Sequence, residues 1–178
     1  MTDGTSRIVE ISESDLSEGQ KKVFDDLLAG RGKLLTPYKI WIHSPELAAA
    51  METIGTFLNK KSSLKEREVE LVIVLIACHW GGSYVKAAHI KTCREIGYSE
   101  DVIEALEMGR KPNLSDQRED VIYDLCQISM ASGSGSDLVY DRAVGLIGRD
   151  GLAEVLALLG YYSAVSIAMK LHRVPVPK

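Results

Sequence analysis

The chain has little of what marks nucleic-acid-binding, membrane or secreted proteins. Its 21 Lys and Arg residues are outnumbered by 25 Asp and Glu residues, and no basic cluster is interleaved with aromatic residues. A nucleic-acid or membrane-surface partner is therefore not expected. The longest uninterrupted apolar run, Leu71 to Ala77, is much shorter than the roughly 18 to 20 residues that cross a bilayer. The N-terminal MTDGTSRIVE lacks a signal pattern, so we expect a cytoplasmic protein with no membrane partner.

Cysteine is also scarce, which limits redox and metal chemistry. Cys78, Cys93 and Cys126 form no CxxC pair, and at least one stays unpaired if two are bridged. Neither a disulfide framework nor a zinc site is predicted. His89 lies four residues before Cys93, but HExxH and runs of carboxylates are absent. We therefore expect no metal.

Helix signals are present from end to end, and no strand pattern of comparable quality occurs. Ser63 and Glu66 match a capping box at the start of an apolar helix that continues to Trp80. Gly81 and its neighbouring glycine break this helix, and a second one returns over residues 83–96. With 178 residues, we treat 1–178 as one domain. The predicted fold is an all-α, single-domain bundle of about eight helices.

The final predicted helix, over residues 152–171, is apolar on most of its circumference. Such a helix is either central to the fold or covered by another subunit. The sequence alone leaves both alternatives open.

The hairpin of residues 66–96 carries the best candidates for chemistry. Glu70 stands at the edge of the apolar run, and His89 lies on the returning helix, where the two side chains can face each other. Such a pair suits proton transfer, because a carboxylate fixes the histidine tautomer and raises the basicity of the ring. A buried ion pair or a core histidine is the structural alternative. Lys86, three residues before His89, projects from a neighbouring position of the same helical face.

His79 and Trp80 end the first helix of this hairpin. The helix dipole favours a protonated histidine there, and a tryptophan can cover the turn. A purely structural role explains both residues equally well.

At these same positions the sequence resembles the carboxymuconolactone decarboxylase family, which includes the alkylhydroperoxidase D-like proteins. The matching residues are Glu70, the run LVIVLIA, the HWG that begins at His79, Tyr84, His89 and the later Gly97. The resemblance continues through TPYKIWIHSPELA, MGRKPNLSDQREDVIYDL and GLAEVLALLGYYSAVSIAM to the closing VPVP. It therefore covers nearly the whole chain.

Two departures from the family pattern stand out. Gly82 and Val85 occupy the positions of the CxxC that the peroxidase branch uses. The chain therefore lacks the cysteine pair that dithiol peroxidase or disulfide reductase chemistry requires. Val85 and Lys86 replace the glutamate and tryptophan that follow the tyrosine in the decarboxylase-like branch. An apolar side chain thus stands in place of the carboxylic acid, and a cation stands in place of the aromatic ring.

The resemblance implies a cofactor-independent lyase that acts by proton transfer on a small unsaturated carboxylic acid or lactone, and a homo-oligomer, trimer or hexamer. His89 would be the acid and base, with Glu70 as its orienting partner. Tyr84 or His79 would stabilise the enolate-like oxygen. The predicted substrate-binding residues are Lys86, Trp80 and Ser83; Lys86 either anchors an anionic substrate or points to solvent.

Three alternatives stay open at this stage. The same residues would support isomerisation, cyclisation or elimination, since each begins with a proton transfer beside a carbonyl. A catalytically silent oligomer that only binds a small molecule is a second alternative. Thiol peroxidase chemistry through Cys78 or Cys93 is a third, and it requires one of these thiols to be exposed and acidic.

Overall fold

The computed structural model describes residues 5–32, 34–131 and 135–176. Every regular element in these ranges is helical, which confirms the all-α prediction. A 3-10 turn, Glu13–Asp15, precedes eight α-helices. These helices are α1 Glu18–Arg31, α2 Tyr38–Trp41, α3 Pro45–Lys60, α4 Glu66–Trp80, α5 Ser83–Glu95, α6 Glu100–Glu107, α7 Gln117–Met130 and α8 Asp137–Leu171.

Helix α4 is the centre of the fold. It packs against α5, α7 and α8, and its residues from Glu68 to Ala77 are all buried. A helix that is apolar around its whole circumference is stable only inside other elements. The sequence LVIVLIA therefore determines that α4 is surrounded, and it fixes the position of any polar residue at the edge of that run.

The turn between α4 and α5 is built as the sequence predicts. Gly81 has φ 64, a left-handed conformation that glycine adopts without a steric penalty, and its N–H bonds to the carbonyls at the end of α4. The helices α4 and α5 thus form the predicted hairpin.

The start of α4 differs from the predicted capping box. Ser63 donates both its N–H and its hydroxyl to Glu154, at 2.8 and 2.6 Å, and stands outside the helix. The helix begins at Glu66, and Glu68 caps it by accepting the N–H of Lys65 at 2.8 Å. The Ser63 prediction was wrong because a carboxylate from α8, remote in sequence, takes that serine.

Helix α8 bends at Gly148, where φ is 74 and ψ is 174. This is where the sequence separates DLVYDRAVGLIG from the final apolar helix. By length and composition α8 is the one described helix that is apolar enough to cross a membrane, a test that the core helix of a soluble protein also passes. Its residues Val155, Leu158 and Val165 are buried in the core.

Helices α1 and α2 form a smaller apolar cluster with α3. Val23, Leu27, Tyr38 and Ala48 are its buried members. Helix α5 packs on α8 and leaves a groove between the two helices. Helix α3 also packs on α8, so this cluster closes one side of that groove. A cavity lined by Tyr38 of this cluster, His89 of α5 and Val165 of α8 lies in the closed groove.

Candidate active site

Glu70 and His89 meet across the α4–α5 hairpin. The Nδ1 atom of His89 lies 2.8 Å from Oε2 of Glu70. Glu70 is 8% exposed and the His89 side chain 22%. The hairpin turn sets this pair, because it folds α5 back along α4 so that one residue from each helix faces the other.

The hydrogen bond defines which nitrogen of His89 is available. An ionised carboxylate only accepts hydrogen bonds, so the bond places a proton on Nδ1 and leaves Nε2 as an acceptor in the neutral ring. His89 lines a cavity that Glu70 does not line. With Nδ1 bonded to Glu70, Nε2 is the ring nitrogen that is left for a ligand in this cavity.

The cavity has a volume of about 310 Å³, which is in the range of small-molecule sites. Its apolar wall includes Val85 and Ala88 of α5 and Val165 of α8. Apart from His89, the polar side chains around it are Thr36, Asn59, Tyr38, Tyr84, Tyr161 and Tyr162. Four of the seven tyrosines in the chain thus surround one cavity, which makes hydroxyl groups its dominant polar feature.

A chain of contacts from α3 holds the His89 ring in place. The rings of His89 and Tyr162 meet edge to face, with centroids 5.4 Å apart and planes at 87°. The Tyr162 hydroxyl donates to Oδ1 of Asn59 at 3.0 Å, and Nδ2 of Asn59 donates to the Gly55 carbonyl at 2.7 Å. Because each of these contacts ends on a helix, the orientation of His89 is fixed from two sides.

A hydroxyl pair, Tyr84 and Thr36, stands on the cavity wall. The hydroxyl of Tyr84 donates to Oγ1 of Thr36 at 2.9 Å. Since that bond uses the tyrosine proton, the proton of the Thr36 hydroxyl is the one that this pair can offer to a ligand.

A second hydroxyl pair brings Tyr38 of α2 to Tyr161 of α8, with 3.5 Å between their oxygens. Burial, then a hydrogen bond to Glu52, raises the pKa of Tyr38 far above its usual value. This phenol stays protonated at any physiological pH. The Tyr161 ring lies so close to α3 that a Cβ added at Gly55 would overlap its hydroxyl.

The structure brings Glu70, His89 and Tyr84 together but places the other four predicted residues elsewhere. The side chain of Lys86 extends away to α6, where Nζ lies 3.0 Å from Oε1 of Glu107. Trp80 donates its Nε1–H to the Ser163 hydroxyl at 3.0 Å.

His79 packs its ring edge to face on Trp80 at 5.1 Å, and Ser83 is exposed at the start of α5. None of the residues from His79 to Ser83 lines the His89 cavity. These residues lie outside the cavity because the last turn of α4 faces α8 and solvent rather than the groove between α5 and α8.

The cysteines do not take part in this cavity. Cys93 is 1% exposed, and burial, with a smaller contribution from Glu70, raises its pKa to about 12. Burial likewise raises the pKa of Cys78. A peroxidatic thiol must be acidic and accessible, so the requirement set for the thiol peroxidase alternative is not met by either residue.

Among the residues that the structure describes, no group of three His, Cys, Asp or Glu side chains is arranged to hold a metal ion. The polar atoms of the cavity are instead hydroxyl, amide and imidazole groups. The arrangement can accept a proton at Nε2 and can donate hydrogen bonds to an oxygen.

Reasoning from the sequence missed the polar lining residues that come from outside the hairpin, namely Thr36, Tyr38, Asn59, Tyr161 and Tyr162. One signal for them existed. A tyrosine pair in an otherwise apolar helix indicates polar atoms that need partners in the interior. The three other residues carry no local signal.

No protein-family model matches the chain, and no curated protein sequence matches it. Solved structures do match. An uncharacterized peroxidase-related protein from Silicibacter sp. TM1040 is 17% identical, with a TM-score of 0.74 over 97% of this chain and 92% of that one. The debrominase Bmp8, whose structure holds 2,3,4-tribromopyrrole, is 12% identical, with a TM-score of 0.70 over 97% and 92%.

A peroxidase-related protein from Ralstonia eutropha JMP134, described as an alkylhydroperoxidase AhpD core, is 14% identical, with a TM-score of 0.75 over 97% of this chain and 93% of that one. Identities this low establish the fold and not the reaction. The chain therefore has the helical fold of the AhpD-like proteins, as its sequence predicts.

Proposed function

We propose that this chain is a cofactor-independent enzyme that moves a proton at a carbon atom beside the carbonyl group of a small molecule. The observation that carries the proposal is the 2.8 Å bond between Glu70 and His89 at the wall of a cavity of about 310 Å³. A histidine whose Nδ1 is held by a carboxylate and whose Nε2 faces a cavity is the usual arrangement of a general base.

In the proposed reaction, Nε2 of His89 takes a proton from the carbon, and the electrons of that C–H bond move into the carbonyl to form an enolate. Glu70 stabilises the imidazolium that results. The Thr36 hydroxyl, which accepts a bond from Tyr84, donates to the enolate oxygen. Return of the proton to a second carbon gives isomerisation, and loss of a leaving group from the enolate gives elimination.

A lyase of the carboxymuconolactone decarboxylase type is the specific reaction that the resemblance implies. There the bond to the carboxylate breaks, carbon dioxide leaves, the electrons pass into the carbonyl system, and protonated His89 delivers a proton to carbon. This reaction begins with the imidazolium, whereas isomerisation and elimination begin with the neutral ring. The same two residues support either order.

The names of the structural neighbours include a debrominase and peroxidase-related proteins. Neither activity is proposed here for this chain, because no cysteine lines its cavity and a thiol is the group with which a protein side chain carries out such redox steps.

The proposal is tested by hydrogen exchange at carbon. The purified chain is incubated in D₂O with γ-carboxymuconolactone and with small uncharged lactones and enones, and deuterium incorporation is followed by NMR. Loss of ultraviolet absorbance reports decarboxylation of the first compound. We expect exchange with at least one compound, and a loss of about 10³-fold in His89→Gln.

His172→Gln is the matched control, because His172 bonds to the Ala168 carbonyl at the end of α8, outside the cavity. It should exchange at the wild-type rate. Equal rates in the His89 and His172 variants would refute the proposal. No exchange with any compound, by a protein that still binds them, would establish the catalytically silent alternative.

We also propose that copies of this chain associate into the trimer or hexamer that the resemblance implies. Leu47, Ile54 and Phe57 of α3 are 45%, 45% and 43% exposed, and their spacing places them on one side of the helix. Sedimentation should show an oligomer that Ile54→Glu dissociates. A wild-type monomer at micromolar concentration would refute this assembly.

A further inference from the structure

Among the residues that the structure describes, those that line the cavity beside His89 include no permanently charged side chain. Its polar groups are the tyrosine hydroxyls, Thr36, Asn59 and His89, and no Lys, Arg, Asp or Glu is among the lining residues. Lys86, the residue predicted to anchor an anionic substrate, pairs with Glu107 at 3.0 Å and lies outside this cavity.

Two cations on helices α2 and α4 are already paired. Lys39 of α2 binds Glu10, and Arg67 of α4 binds Glu119 at 2.7 Å. Neither reaches the lining. A positive charge on His89 is balanced by Glu70 directly behind it, so the pair offers an anion no net positive charge.

Carboxylates lie behind the wall of the cavity rather than on it. Glu70 is hydrogen-bonded to His89. Glu52 accepts the Thr56 hydroxyl at 2.7 Å and also faces Tyr38. These two groups make the local field unfavourable for an anion, while neither is in contact with the cavity to neutralise a bound cation.

We infer that the cavity takes an uncharged small carbonyl compound, with its oxygen hydrogen-bonded to the hydroxyl groups of the wall. A buried charge of either sign would lose its hydration without gaining an ion pair, whereas a neutral carbonyl needs only hydrogen-bond donors. This inference rests on the proposed function and narrows its substrate class to neutral ketones, lactones, amides or enones.

Three planar probes of nearly identical shape test the charge preference directly: benzamide is neutral, benzoate is an anion and benzamidine is a cation. Binding is measured by titration calorimetry at pH 7.5 with the wild-type chain. Benzamide should bind at least about tenfold more tightly than either charged probe. Tighter binding of benzoate or of benzamidine would overturn the inference, and so would failure of all three to bind at 10 mM.

Two variants tie the result to this cavity. Ala88→Phe fills the cavity from α5 and should abolish benzamide binding, whereas Ala49→Phe adds the same ring at an exposed position of α3 and should leave it unchanged. Glu70→Gln removes the charge behind His89, and the preference for benzamide over benzoate should shrink several-fold. An unchanged preference would mean that Glu70 is not its cause and would overturn the electrostatic argument.

Binding is measured without turnover, so the two proposals fail separately. A protein that prefers benzamide but exchanges no carbon-bound hydrogen refutes the proposed function and leaves the charge preference standing. A protein that decarboxylates γ-carboxymuconolactone and binds benzoate best refutes the charge preference and leaves the function standing.

Discussion

Glu68 and Glu70 are two buried carboxylates on the same helix, two residues apart, and they lie in very different surroundings. Glu68 is 0% exposed and is held by Arg118, whose Nε and Nη2 donate at 2.6 and 3.0 Å, and by the Lys65 N–H at 2.8 Å. Glu70 is hydrogen-bonded to His89, at 2.8 Å. One carboxylate is locked by a permanent charge, and the other by a ring that can change its charge.

The difference separates a structural pair from the pair that we propose for proton transfer. Arg118 cannot lose its proton in a protein, so the pair with Glu68 joins α4 to α7 and does nothing else. An imidazole has both a neutral and a protonated form, and the ring of His89 stands between Glu70 and a cavity. Burial of a carboxylate therefore does not by itself mark a functional site; the kind of partner and an adjoining cavity do.

The largest effect should come from breaking the structural pair. Arg118→Met leaves the buried Glu68 with only the Lys65 ammonium, 4.0 Å away, as a counter-charge, and it also removes a bond to the Leu146 carbonyl. We expect the free energy of unfolding to fall by about 3 kcal/mol, as measured by urea titration, while the protein that remains folded keeps its exchange activity.

The control for this prediction is Arg94→Met. Arg94 pairs with Glu100 on the surface, where their side chains are 51% and 68% exposed, and such pairs contribute little. Equal destabilisation by the Arg118 and Arg94 variants would show that the Glu68 pair is no more important than a surface contact.

The next effect should come from the pair proposed for catalysis, Glu70 and His89. Glu70→Gln keeps the shape of the side chain but no longer stabilises the His89 imidazolium. The rate of hydrogen exchange at substrate carbon should fall by about 10²-fold, while the free energy of unfolding changes by less than about 1 kcal/mol. Glu107→Gln, which alters a carboxylate outside the cavity, is the control. A Glu70 variant that loses several kcal/mol of unfolding free energy but keeps the wild-type exchange rate while folded would contradict this assignment.

A smaller effect should come from the wall opposite His89. Gly55→Ala places a methyl group against the Tyr161 hydroxyl, and the tyrosine must move within the cavity. Benzamide affinity should fall about tenfold by calorimetry, since a displaced side chain costs about 1 to 3 kcal/mol. Gly145→Ala in α8, where a Cβ meets nothing within 4 Å, should bind normally. Similar affinities of both variants would mean that Tyr161 does not shape the cavity.

The contrast between Glu68 and Glu70 also shows what the sequence could predict. The helices, the Gly81 break and the facing of Glu70 and His89 follow from local patterns, because a hairpin brings together residues that are near in sequence. The role of Glu68 was not predicted, because Arg118 is 50 positions away and no local pattern connects them.

The prediction for Lys86 illustrates the limit of helical spacing. Residues three apart on a helix point about 60° away from each other, which is enough for His89 to face the cavity and Lys86 to reach Glu107. Thr36, Asn59 and Tyr161 come from three further parts of the chain, and only tertiary packing shows that they surround one site.

The smallest expected effect concerns a carboxylate on α7 that is less buried than either Glu68 or Glu70. Asp120 is 24% exposed and pairs with Arg142 and with Lys111. The hydrogen bond from Arg142, and then that from Lys111, hold the pKa of Asp120 below its usual value. The folded state thus binds this proton less readily than the unfolded state. The contribution of Asp120 to stability is therefore fully present above the unfolded pKa, near 4, and is lost as the pH falls through the lower folded pKa.

Because Asp120 is partly exposed, that contribution should be about 1 kcal/mol or less. Urea unfolding of the wild type and of Asp120→Asn should differ by this amount at pH 6 and converge at pH 2.5. The difference should also shrink in high salt, which screens a partly exposed pair, whereas the loss in Arg118→Met should persist because Glu68 is fully buried. A difference between wild type and Asp120→Asn that stays constant with pH would show that the variant acts through packing rather than charge, and Asp120 would then resemble neither Glu68 nor Glu70.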